Sequence, residues 1–193
     1  DELVGQVAEN AAAPIGGALT DQALAQREAT QAKKFFQEAL PLCQEVRNEV
    51  VRQVSLYRLG CLAFYEGDYE QARKLFEQGL AYFRERGGKY SVRLANLWSG
   101  RLALHQGDYR LAIEFYTQGL RLADEMGDKI GMSDAGVELG LATLYQGDSE
   151  QAAALFKEHL PLLQQTNAKR GIAYCLYGLA ALAITQRHWK QAV

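Results

Sequence analysis

Three histidines, three cysteines and a recurring aspartate are the side chains from which this chain could build a reactive centre. His105, His159 and His188 stand far apart, and neither a His-x-x-x-His nor a Cys-x-x-Cys pair occurs. The close ligand spacing on which a zinc site is founded is therefore missing. Cys43, Cys61 and Cys175 are odd in number and widely spaced, which predicts reduced thiols and a cytoplasmic setting. Cys61 and Cys175 read as small hydrophobes that fill space. Asp68, Asp108 and Asp148 fall at one constant interval, which predicts helix caps and argues against catalytic carboxylates, whose surroundings must differ. Gly16-Gly17 and Gly87-Gly88 lack the strand before and the lysine after that a phosphate loop requires. The expectation is a chain with no catalytic residues, no metal and no cofactor.

Charge points the same way. With 21 Lys+Arg against 23 Asp+Glu, a net charge of −2 and no block of like charge, the sequence offers no one-sided positive field for nucleic acid. It has no run of about 18 apolar residues, and no basic N-terminal region leading into an apolar stretch, so neither a membrane span nor a secretory signal is expected. Hydrophobic residues make up 48% of the 193, enough to bury a core in one domain or in a short array of repeats.

The elements that position these residues emerge when the sequence is shifted by 40 residues against itself. Leu59-Gly60, Ser99-Gly100, Leu139-Gly140 and Leu179-Ala180 align. So do Gly67-Asp68-Tyr69, Gly107-Asp108-Tyr109 and Gly147-Asp148-Ser149, then Ala72, Ala112, Ala152 and Ala192, then Phe76, Tyr116 and Phe156. Apolar residues follow a helical period: Leu56, Leu59, Leu62 and Ala63 share a face over 54–66, and Ala72, Leu75, Phe76, Leu80 and Phe83 share one over 69–83. Between them Gly67 ends one helix and Asp68 caps the next, with Gln71 and Gln151 placed for a capping box. A second break recurs at Gly87-Gly88, Gly127-Asp128 and Asn167-Ala168.

The spacing thus predicts an all-α fold, an α-solenoid of antiparallel helix pairs stacked into a right-handed superhelix. Its units are 54–93, 94–133 and 134–173. A degenerate unit over 14–53, with Arg27-Glu28 in place of Gly-Asp, precedes them, and residues 1–13 form the tail of an earlier helix or a linker. A partial, truncated unit over 174–193 follows, as though cut from a longer protein. Pro41 and Pro161 share a column inside the second helix and are expected to bend it on the outer layer.

Leu59-Gly60, Ala63, Gly67-Asp68-Tyr69, Ala72, Phe76 and Leu80 resemble the tetratricopeptide repeat (TPR) signature. The long 40-residue form is similar to LGN-like adaptors and to the sensor arms of bacterial signalling ATPases and transcription regulators. One column departs: where the family has Ala, this chain reads Gly79, Gly119 and His159, and His159 is expected to loosen the closing of its unit. The resemblance implies a concave groove lined by the first helix of each pair. Columns on that face read Tyr57, Leu97, Val137 and Tyr177; Val54, Leu94, Asp134 and Tyr174; Cys61, Arg101, Leu141 and Ala181; Tyr65, His105 and Tyr145; and, at the margin, Arg58, Trp98 and Glu138.

These columns vary where packing columns repeat, as a binding surface does. The groove reads as apolar and aromatic, with Arg58, Arg101 and His105 as a cationic cluster and Asp134 and Glu138 as a negative one further along. A rival reading has Leu97, Val137 and Leu141 merely packing between repeats. The residues that grip a terminal carboxylate in chaperone-binding members are replaced here by Tyr57, Cys61, Trp98, Asp134 and Glu138, and the asparagine ladder of LGN-like adaptors is absent. Those ligands do not transfer. The expectation is an interaction scaffold holding a peptide or helix of a protein partner, or of another domain of the same polypeptide, in its concave groove. The alternative is a ligand- or peptide-sensing regulatory arm of a larger signalling protein. Weak self-association through end repeats is a third reading.

Overall fold

The computed structural model describes residues 22–192, with side chains over 28–184. The expected tail over 1–13, the first part of the degenerate unit and the His188 side chain lie outside those ranges. Among the described residues the chain is all helix: α1 Gln22–Glu45, α2 Glu49–Glu66, α3 Tyr69–Glu85, α4 Lys89–His105, α5 Tyr109–Glu125, α6 Lys129–Gln146, α7 Ser149–Gln165 and α8 Lys169–Ala192. This is the all-α array of helix pairs that the 40-residue period demands.

The turns form for the reasons their residues suggest. Gly147 takes φ +102°, a left-handed conformation in which its N–H can reach back to Leu144 and end α6. Asp148 then accepts from the Gln151 N–H at 3.0 Å and starts α7; Asp108 does the same for Leu111 at 3.0 Å, and Asp68 for Gln71 at 3.1 Å. The reciprocal half of the expected capping box does not form. The Asp68 and Asp148 backbone N–H groups already donate to Ala63 and Thr143 across the two-residue turn. Each first helix also starts earlier than its apolar stripe suggests. Asn48 caps α2 and Asp128 caps α6, yet Val50 and Ile130 in the first turns are exposed, so periodicity does not mark them.

The end helices, at 24 residues each, are longer than the rest. Arg27-Glu28 and Arg187-His188 occupy the column where the other units carry Gly-Asp, and without a left-handed glycine the helix runs on. Pro41 and Pro161 sit on exposed faces of α1 and α7, which continue through them. The carbonyls four residues earlier, at Gln37 and Lys157, belong to exposed residues, where water can serve them.

Contacts divide the chain into two compact units, Asp1–Tyr82 and Phe83–Val193. In the first, Phe76 and Ala72 are fully buried, and a Cβ added to Gly60 would lie 2.8 Å from the Phe76 ring. The Leu-Gly pair of the repeat exists because an aromatic ring of the second helix packs against the glycine. Tyr57 adds a tilted ring contact to Phe76 at 6.0 Å, and Lys33 of α1 pairs with Glu66 of α2 at 2.6 Å.

In the second unit the same device recurs, with Gly100 under Tyr116 and Gly140 under Phe156. One core gathers Leu97, Ala112, Tyr116 and Leu139, and another gathers Val137, Leu141, Phe156, Leu163 and Cys175. The His159 expectation is corrected here. Its side chain is 4% exposed and fills the space left by the missing side chain of Gly136, so the unit closes around it. All three cysteines are buried free thiols, and Cys175 lies 3.3 Å from the Phe156 carbonyl.

Candidate functional site

The first helices of each pair carry the expected groove residues, and burial separates those that pack from those that face out. In the first unit Tyr57 and Cys61 are buried in the core, while Tyr65 is 58% exposed with its ring edge-on to Phe64 at 5.7 Å. Arg58 is half-buried, its guanidinium 5.9 Å from the Tyr57 ring, and its Nε has no hydrogen-bond partner.

In the second unit Leu97 and Leu141 are core residues and Leu94 is half-buried. Arg101 and Glu138, assigned by sequence to opposite patches, meet in one ion pair. The Arg101 Nε and Nη2 lie 2.8 and 2.6 Å from Glu138 Oε1. Trp98 lies under the Arg101 guanidinium at 4.8 Å, and the Tyr116 hydroxyl reaches Glu138 Oε2 at 3.5 Å. Burial, followed by the Glu138 charge, pushes the Tyr116 phenol well above its usual range. Asp134 is also pushed up by burial, against the pull of Arg170 and Arg101. This arrangement is an internal polar lock between α4 and α6, with its charges largely satisfied.

The outward-facing residues of this unit are His105, Tyr145, Tyr174 and Tyr177. The Tyr145 ring stacks on Tyr109 at 5.7 Å and 29°. Burial, then the neighbouring Tyr177 phenol, raises the Tyr145 phenol above its ordinary value. Leu104, His105, Tyr109 and Tyr145 line a hollow of about 280 Å³ that is open to solvent. Sequence reasoning missed Tyr109, reading it only as the third residue of the Gly-Asp-Tyr turn. The available signal was its place one short turn after the His105 column, on the same end of the hairpin.

No group of three or more His, Cys, Asp or Glu that could hold a metal occurs among the described residues. None of the helices searched there is long and apolar enough to cross a membrane.

Comparison with known proteins agrees with the fold. The pattern described as Tetratricopeptide repeat matches residues 57–126 and, in a second form, residues 21–85. No curated protein matches the sequence. Among solved structures, BtubC (BKLC) from P. vanneervenii superposes with a TM-score of 0.65 at 20% identity, over 86% of this chain and 68% of that one. A Podosopora anserina protein assigned to the kinesin light chains, with nearly identical TPR-like repeats, superposes with a TM-score of 0.67 at 15% identity, over 98% and 92%. Helix pairs, turn chemistry and repeat signature together define an α-solenoid of protein-interaction type. The chain belongs to the tetratricopeptide repeat family.

Proposed function

We propose that the chain is a protein–protein interaction module that holds a peptide or helix of a partner against the groove face of its first helices, without catalysis. The observation that carries this reading is the set of large side chains left in solvent on that face. Tyr65 in the first unit, and Tyr145, Tyr174 and Tyr177 in the second, are each at least 45% exposed. Exposed tyrosines on a rigid helical scaffold lose little freedom on binding and bury much area, which is why they serve as anchors. The Arg101–Glu138 lock supports the same reading by fixing α4 against α6 in the second unit.

A photo-crosslinking amino acid placed at position 145, and in a second protein at the exposed Lys157 of α7, tests the proposal in cells expressing the chain. Adducts with one recurring partner segment from position 145, and not from 157, are expected. Equal labelling from both positions would remove the basis for assigning the first-helix face.

A further inference from the structure

We infer that one side of α8 is an interface between two copies of this chain, which pair antiparallel about a two-fold axis at Ala180. In α6, Ser133, Gly136, Gly140 and Thr143 are buried, and so are the residues in the same columns of α2 and α4. α7 lies over this side of α6, with the Phe156 ring against Gly140 and the His159 ring against Gly136. In α8 the same columns hold Ala173, Leu176, Ala180 and Ala183, and all four are exposed, Leu176 to 53%. α8 stays helical through the column where Gly147 turns the chain after α6, so among the described residues no second helix folds back onto it. A side of a solenoid helix that faces water is kept polar, whereas this one is alanine and leucine with exposed Ile184 beside them.

The shape of these columns selects what covers them. A Cβ added at Gly100 or Gly140 would lie 2.5 or 2.6 Å from the Tyr116 or Phe156 ring. Ala180 already carries that Cβ, so a helix bearing a ring at this place does not seat, and the covering helix needs a small residue there. Three residues further along, where α7 sets His159 on Gly136, the covering helix meets Leu176. A small residue is needed again, as Gly119 is small where α5 meets Asn96. Small residues three apart on an uncharged face are what α8 itself offers in Ala180 and Ala183. A second α8, laid in the register that α7 takes on α6, sets Ala180 on Ala180 and Ala183 on Leu176. The two-fold axis repeats the Leu176–Ala183 contact on the other side, so each copy supplies what the other requires and the pair closes. α8 contains Lys169, Arg170, Arg187 and Lys190 and no aspartate or glutamate. Pairing therefore brings like charges together toward its ends, and added salt relieves the repulsion.

Sedimentation equilibrium over a range of protein and salt concentrations tests the inference, on wild type, Leu176→Glu and the control Ile130→Glu, whose side chain is equally exposed on α6. Expected is a reversible dimer that tightens with salt, weakens more than about tenfold in Leu176→Glu and is unmoved in Ile130→Glu. Helical circular dichroism should be unchanged in both variants. Disulfide trapping with copper phenanthroline reads the register, since the native thiols are all buried. Ala180→Cys should cross-link to its own copy, and Leu176→Cys should cross-link when mixed with Ala183→Cys but not alone. A monomer at every concentration, a dimer indifferent to Leu176→Glu or loosened by salt, or failure of both cross-links would overturn the inference. None of these outcomes bears on the groove, which is probed from position 145.

Discussion

His159 shows how single residues exchange bulk between facing helices. Column 136 and column 159 hold Leu56 with Gly79 in one unit, Asn96 with Gly119 in the next, and Gly136 with His159 in the third. In the second compact unit the larger residue lies on the first helix in one pair and on the second helix in the other: a Cβ at Gly119 would meet Asn96 at 3.9 Å, and one at Gly136 would meet the His159 ring. Gly136→Ala is therefore expected to drive a Cβ into the imidazole and destabilise the chain by about 2 kcal/mol. Adding His159→Gly to Gly136→Leu, which puts the bulk back on the first helix, should recover most of it; urea denaturation reads both. The imidazole also carries a pH signature. Its Nε2 has no partner, and burial lowers its pKa despite the opposing Glu158 charge. As pH falls below about 6.5 the unfolded chain takes up a proton before the folded one, so stability is full above that point and is lost toward pH 5. Denaturation midpoints should fall over this range in wild type and fall less in the Gly136→Leu/His159→Gly variant. Identical slopes would mean that His159 does not titrate as its burial requires.

At the scale of the element, the Gly-Asp turn was the most legible feature of the sequence, because one backbone conformation and one side-chain cap suffice to end one helix and start another. The two glycine columns do different jobs, and substitution should separate them. Gly147→Ala meets no neighbouring atom but must hold φ +102°, so a loss of about 1 kcal/mol is expected. Gly140→Ala has an ordinary helical backbone but would press on the Phe156 ring, with its added Cβ 2.6 Å from the nearest ring carbon; about 2 kcal/mol or more is expected. Equal effects in thermal melts would deny the ring-on-glycine packing. What sequence showed less well were helix ends without those signals. The opening turns of α2 and α6 carry exposed Val50 and Ile130, which break the apolar stripe, and α8 runs past Arg187 because no glycine stops it.

For the whole molecule, the repeat made the architecture readable from end to end, since each column reports the same packing problem several times. The candidate site lacked that redundancy. Its columns differ from unit to unit, and of those named only the Tyr65, His105 and Tyr145 column is exposed in each unit. Arg101 and Glu138 read as separate patches because their pairing crosses between consecutive units. Tyr57 is buried, whereas Tyr177 in the same column stands out. The central claim is that the first-helix face is where a partner sits. Amide shift mapping tests it most directly, on isotopically labelled protein titrated with a peptide selected against it. The account predicts perturbations gathered on α4, α6 and α8 around His105, Tyr145 and Tyr177; perturbations confined to the exposed faces of α5 and α7 would contradict it.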